Sequence, residues 1–381
     1  MRLTRRAALL GLGCAMARGH ASLALAAAPT ERRFVVVLLR GGLDGLAVVV
    51  PQGDRDLARW RAPLVPEGLL DLGGFYGLHP ALAGLHHLYA AGEALAVQAV
   101  AGPDRSRSHF AAQDSLELGA GGHVIADGWL NRAAAELHAP ALALGAGVPL
   151  LLRGPARVDS FLPEGAHHPP PDYYTAVLAL HRDDGAAGAA MARALRERGF
   201  TEAALAGTEL PHDRDAFPTL AEAAGKLLAA PDGPRIAALE LGGWDTHVRQ
   251  VPRLATALAT LDRGLMALRE ALDPVWRRTA VLVVTEFGRT VRANGAAGSD
   301  HGTASIAFVL GGSIDGGRVA GTWPGLAPAR LFENRDLQPT SDVRALAKGL
   351  LAAHLGLGPT ALARVFPDST SAPPMQRLLR T

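Results

Sequence analysis

The chain carries a single cysteine, Cys14, in 381 residues. It falls within the first 28 residues, which read as a removable leader. Once that leader is cleaved near Ala28, a disulfide, a thiolate metal site and a cysteine nucleophile are all excluded. An excess of charge is missing as well. The formal net charge of +2 originates in the leader, where Arg2, Arg5, Arg6 and Arg18 stand without an acid. Without them 34 basic side chains face 36 acidic ones. That balance gives no support to nucleic-acid binding. No repeat with a period of about 20–50 residues, no heptad run and no long low-complexity linker is present, which excludes solenoids and coiled coils. A long apolar run is lacking too. The apolar part of the leader is short and interrupted by Arg18 and His20, so no membrane span is expected after its removal.

What is present begins with that leader, "MRLTRRAALLGLGCAMARGHASLALAAA". Paired arginines follow Thr4, and the alanine-rich end fits A-x-A cleavage. The pattern predicts a secretory signal of the twin-arginine type and a periplasmic or secreted protein. "LGLGC" is a partial match to a lipid-attachment site, with Gly11 where an aliphatic residue is expected. The remainder is long enough for one large α/β domain over 29–381.

Apolar runs of strand length recur along it: "FVVVLL" (34–39), "LAVQAVA" (95–101), "VPLLLR" (148–153), "IAALEL" (236–241), "AVLVVTE" (280–286) and "SIAFVLGG" (305–312). Continuous runs of this kind suit strands buried on both faces. Helical patterns lie between them at 81–92, 127–139, 251–272 and 342–356. The clearest carries Leu254, Leu258, Leu261, Leu265, Leu268 and Leu272, spaced as one stripe that packs on a sheet. The alternation predicts an α/β fold with a mostly parallel sheet sandwiched by helices. The segment 155–235, with "HHPPPDYY" inside it, reads as a cap or insertion.

In an open parallel sheet, ligands bind beyond the carboxyl ends of the strands. Polar residues collect there. Asp44 follows the first run. Ser106, Ser108 and His109 follow the second. Asp245 and His247 follow "IAALEL", and Glu286 and Arg289 close or follow "AVLVVTE". Asp300 and His301 stand just before "SIAFVLGG". Asp245 and His247 are two apart, so in extended backbone they face one side and can hold Zn²⁺, Mn²⁺ or Mg²⁺. They also fit an Asx-turn in which Asp245 caps the Leu-striped helix. Ser108 sits at a helix start, as an N-cap or as a nucleophile favoured by the helix N-terminus. Arg105 and Arg107 are placed to hold phosphate or sulfate oxygens. His109 reads as structural, as do His79, His86 and His87. His167 and His168 belong to a proline-rich loop, and Asp315 to a glycine-rich turn.

The segments "LRGGLDGLAVVVP", "RSHFAAQDSLELG", "DGWLNR", "LELGGWDTH", "VVTEFGRT", "GSDHG" and "HLGLGPTALARVFP" occur in that order. With the twin-arginine start they resemble the bacterial exported family known as domain of unknown function 1501. That family looks like a distant branch of the alkaline phosphatase and sulfatase superfamily. The resemblance implies that Asp44 matches the superfamily's first Asp ligand and Ser108 its nucleophile. Asp245 and His247 match an Asp-and-His pair. Glu286 stands for a usual Asp, Phe287 takes the place of a His ligand, and His301 matches the last His. Asp300 then binds metal or orients His301. One site is thereby complete, with Asp245, His247 and His301. The other, Asp44 and Glu286 with Ser108, lacks its imidazole.

The expected cofactor is one or two divalent ions (Zn, Mn, Mg or Ca). The expected substrate is a small-molecule or polysaccharide ester of phosphate or sulfate. Ser108, Arg289 and Arg107 are the expected catalytic groups. A contrasting expectation is a non-catalytic export partner that binds polysaccharide or another secreted protein through a degenerate metal site. A third is a metal-binding redox accessory.

Overall fold

The computed structural model describes residues 30–120, 125–145, 147–161 and 216–380. The leader with Cys14, and His167 and His168, lie outside the described residues.

The central sheet contains β1 (Arg33–Leu39), β2 (Ala94–Ala101), β3 (Ala141–Leu144), β4 (Val158–Phe161), β5 (Ile236–Leu241), β6 (Thr279–Thr285), β7 (Ser305–Leu310), β8 (Val319–Ala320) and β9 (Ser341–Asp342). Their order is β8-β2-β7-β6-β1-β5-β3-β4, with β9 also paired to β2. β1 lies at the centre, parallel to β5 and to β6, and all seven of its residues are buried. β7 runs antiparallel to both β6 and β2. Mixed direction with a parallel majority matches the expected α/β class.

Successive residues of β1 feed opposite faces, as the period of two demands. Val35, Val37 and Leu39 enter one apolar core, and Phe34, Val36 and Leu38 the other. The first core receives α1 (Ala83–Ala90), α4 (Ala216–Ala229) and α5 (Gln250–Ala271). The second receives α2 (His109–Leu118), α3 (Trp129–Leu137), α6 (Val343–Ala353) and α7 (Pro359–Val365). The leucine stripe of α5 is buried at Leu254, Leu258, Leu261, Leu265 and Leu268. Each such side chain contributes about 1.5–3 kcal/mol by leaving water. One seam therefore fixes α5 against the sheet and the chain just before it over the sheet's edge.

Two expectations need correction. "VPLLLR" is no strand; Leu150–Leu152 form a 3₁₀ turn introduced by Pro149, and β3 lies earlier in "ALAL". Proline fixes φ and removes a ladder donor, which favours the turn over a central strand. The segment 155–235 is also not wholly a cap, since β4 pairs with β3 and α4 packs on α5.

The reversed strand places the site. Parallel strands β1, β2, β5 and β6 end at one edge of the sheet. β7, running the other way, begins at that same edge. The residues before β7 therefore meet those after the other four.

Candidate metal centre

Asp245 and His247 follow β5 in the turn before α5. His301 precedes β7, and its backbone forms an isolated bridge with Arg289, just after β6. Gly302 lets these segments touch, since a Cβ there would lie 2.3 Å from the carbonyl carbon of Arg289. Gly41, at φ +126°, does the same where a Cβ would lie 2.8 Å from the Asp245 nitrogen.

Three possible ligand atoms meet at this point. Asp245 Oδ1 is 2.9 Å from His247 Nε2 and 3.2 Å from His301 Nε2, and the two Nε2 atoms are 3.0 Å apart. His109, first residue of α2, joins from the side. It offers one of three ligand atoms, with Asp245 and His301, that all lie within 4.8 Å of one another. Its Nε2 is 3.6 Å from Asp245 Oδ2 and is buried with no hydrogen-bond partner.

The other ring nitrogens fix the tautomers. His301 Nδ1 is 3.0 Å from the Arg107 carbonyl oxygen, an acceptor only. His109 Nδ1 is 2.9 Å from Glu286 Oε1, and His247 Nδ1 is 3.2 Å from Asp300 Oδ1. Each Nδ1 thus faces an acceptor, an arrangement that suits a proton there and leaves each Nε2 turned inward as a possible ligand. Burial raises Glu286, but hydrogen bonds from Gln113, His109 and the backbone outweigh it and hold the carboxyl below its ordinary pKa. The Asn294 hydrogen bond, then His247, lowers Asp300 against a smaller opposing effect of burial. Burial lowers the His301 pKa, and the neighbouring His109 and Arg289 lower it further. Burial alone would raise Asp245, yet Arg289 and the two histidines pull it below the usual carboxylate range.

Two imidazole nitrogens 3.0 Å apart are held by a shared proton or by a cation between them. A histidine ligand with its far nitrogen held by a carboxylate or carbonyl is the usual support of a metal site. Tetrahedral zinc with bonds of about 2.0–2.1 Å sets ligand atoms about 3.3 Å apart; Asp245, His247 and His301 come close to that spacing, and His109 lies farther off, 3.6 Å from the second Asp245 oxygen. The donor set of three imidazoles and one carboxylate suits a borderline transition ion better than Mg²⁺ or Ca²⁺. These residues fit such an ion.

The remaining expected site residues are placed as follows. Glu286 is 4% exposed and accepts from Gly41 N–H, Gln113 and His109 through Oε1, and from Thr285 through Oε2. It orients His109 and has little left for an ion. Asp44 is apart from the imidazoles. Its Oδ2 is bound by the Arg61 guanidinium and, at 2.5 Å, by Gln250, while Oδ1 is buried without a partner. Asp300 acts through His247.

Arg289 is buried and saturated. It donates to Asp245 Oδ1 at 2.6 Å, and to the carbonyls of Gly42 at 2.8 Å, Trp244 at 3.0 Å, Gly41 at 3.2 Å and Ser299 at 3.3 Å. It ties the loops together rather than reaching for an anion. The Arg107 guanidinium is engaged by the carboxylates of Asp336 and Glu333, while its carbonyl serves His301. Ser108 occupies the N-cap of α2, but its side chain makes no capping hydrogen bond.

His109, read from sequence as structural, is the residue that reasoning missed. Its signal was position: it follows β2 at the same sheet edge as the other groups. Its ring lies 4.8 Å from that of Phe287. His79 does fix a helix entrance, accepting from Ala81 N–H at 3.1 Å.

No curated protein matches the sequence. Among solved structures it is similar to Ps i-CgsB in complex with k-i-k-neocarrahexaose, with 11% identity over 91% of this chain and 77% of that one, TM-score 0.47. It is similar to a 2-O GAG sulfatase, with 11% identity over 76% and 66%, TM-score 0.41. A protein in the alkaline phosphatase superfamily from Vibrio parahaemolyticus gives 11% identity over 78% and 64%, TM-score 0.39. The likeness is coarse, and the architecture stands on the strand order above. A family profile matches residues 91–366, and the chain belongs to that family, described as "Protein of unknown function (DUF1501)".

Proposed function

We propose that the chain is a metal-dependent hydrolase of a phosphate or sulfate ester, with one divalent transition ion held by His109, Asp245, His247 and His301. The observation that carries this reading is the set of Nε2 atoms gathered around the Asp245 carboxylate, each ring having an acceptor at its own Nδ1. When bound, the ion supplies polarisation of an ester oxygen and a lowered pKa for a nearby hydroxyl or water.

The chain's own groups do the rest. Ser108 is the proposed nucleophile. Its hydroxyl is uncommitted as a cap, and it stands at the N-terminus of a ten-residue helix whose free N–H groups favour an anion. Glu286 and Asp300 hold the tautomers of His109 and His247. Arg289 keeps Asp245 ionised and keeps the loops after β1, β5 and β6 in register. Asp44, occupied by Arg61, favours a single-ion site over a pair.

Export through the twin-arginine route, with a periplasmic or secreted location, belongs to the same proposal. Cell fractionation with Arg5→Lys/Arg6→Lys tests it; a variant exported like the wild type counts against that route. Turnover of an aryl phosphate and an aryl sulfate tests the chemistry. Ser108→Ala abolishes turnover of the true ester class and leaves bound metal unchanged. Wild-type turnover by that variant removes Ser108 as nucleophile. Metal binding without turnover of either ester favours the second reading, a non-catalytic binding protein, to which the closing-off of Asp44 also points.

A further inference from the structure

A cleft of about 560 Å³ opens beside the metal centre, between the end of β5 and the first turns of α5. One wall is Gly242 and Gly243, directly before Trp244 and Asp245. A Cβ at either glycine would meet nothing within 4 Å, so the space there is open. The other wall is one face of α5, where Arg249, Arg253, Thr256 and Thr260 follow one another at helical spacing.

The two arginines are set where helix physics disfavours them. Arg249 is the N-cap of α5 and Arg253 lies in its first turn, and that turn holds no acid. Cations at a helix N-terminus oppose the backbone dipole. Like charges four apart repel. Arg249 also takes φ +49°, an unfavourable backbone region for a residue with a side chain. Both side chains are exposed, and neither forms an ion pair among the described residues. Among the described residues the one hydrogen bond from either side chain is a 3.5 Å approach of Arg253 to the Val248 carbonyl. Guanidinium groups arranged this way offer their donors outward.

The threonines offer the opposite. Thr256 donates its hydroxyl proton to the Pro252 carbonyl at 3.0 Å, and Thr260 to the Thr256 carbonyl at 3.2 Å. Their oxygens therefore present lone pairs to the cleft, which accept from a hydroxyl. Donors of fixed positive charge at one end and acceptors at the other match a ligand that is anionic at one end and hydroxylated along its length. A volume of this size takes one or two sugar rings.

We propose that this cleft binds the phosphate or sulfate group of a sugar, with Arg249 and Arg253 on the anion and Thr256 and Thr260 on ring hydroxyls. As a subsite for the substrate's remote part it rests on the hydrolase reading of the neighbouring centre; as a binding site it does not.

Titration calorimetry on the full chain separates the two. The probes are glucose 6-phosphate, glucose 6-sulfate, glucose and inorganic phosphate. Both sugar esters bind and glucose does not. Arg249→Gln/Arg253→Gln weakens both by about tenfold or more, the loss expected for a charge-assisted hydrogen bond. Thr256→Val/Thr260→Val weakens the sugar esters but leaves inorganic phosphate unchanged. Binding persists in chelator-treated protein and in His301→Ala. Unchanged binding by the arginine variant overturns the proposal, and so does binding that disappears entirely with the metal. Retained, arginine-dependent binding in a protein that hydrolyses no ester keeps the cleft and removes the hydrolase.

Discussion

Replacing Arg61 by methionine is expected to cost about 3–5 kcal/mol, the range for breaking a buried ion pair from one side. Arg61 and Asp44 are each 1% exposed. Without the guanidinium, Asp44 keeps Gln250 at 2.5 Å and a distant Ser299 hydroxyl at 3.4 Å, and its other oxygen is already orphaned. A charge is left in the interior with too few donors. The carbonyls of Thr290, at 2.6 Å, and Val291, at 3.2 Å, also lose their guanidinium partner. Roughly 300 described residues unfolding at about 2.1 cal/mol/K each give an entropy near 0.6 kcal/mol/K, so the loss corresponds to a Tm lowered by about 5–8 °C. Urea and thermal melts measure it. Asp44→Asn in the same background removes the stranded charge and recovers at least about 1 kcal/mol. On the proposed single-ion site, in which Asp44 is no ligand, chelator leaves the difference between wild type and Arg61→Met unchanged. A variant within about 1 kcal/mol of wild type refutes the ion-pair reasoning. A deficit that vanishes with chelator returns Asp44 to the metal.

His354 is 1% exposed, and burial pushes its pKa down from 6.5 to about 4. The folded state thus binds fewer protons than the unfolded one below pH 6.5. Stability is full above that pH and falls by about 3 kcal/mol as pH drops toward 4; His354→Gln flattens this decline in melts across the window, and an unchanged slope contradicts it. Glu286→Gln loosens the Nδ1 anchor of His109 and lowers metal affinity by about 10–100-fold in competition with a chromophoric chelator. Equal affinity shows that His109 is no ligand.

The fold was legible because the buried strands are long and uninterrupted, and the spacing of Leu254 through Leu272 matches one helix face. "ALAL" was passed over because a four-residue run, half of it alanine, carries little apolar signal, while "VPLLLR" carries more and is turned aside by Pro149. The site's edge was legible for the same reason as the strands: polar groups after each run had to converge. What each group does there was not legible. Glu286 and His109 look alike in sequence as polar residues near strand ends. Only the 2.9 Å contact between them makes one the support and the other the candidate ligand. The fate of Asp44 depended on Arg61, an arginine in a short helical turn whose reach into the core has no local pattern.

Elemental analysis of tag-free protein, with and without His109→Ala and His301→Ala, tests the central claim most directly. The account predicts one equivalent of a zinc-like transition ion in the wild type, and a large loss in each variant. A bound ion present at 100-fold excess over Kd adds about 2.7 kcal/mol to the wild type's stability, which chelator takes away. Wild-type protein that holds no stoichiometric ion and melts identically with and without chelator contradicts the metal centre outright.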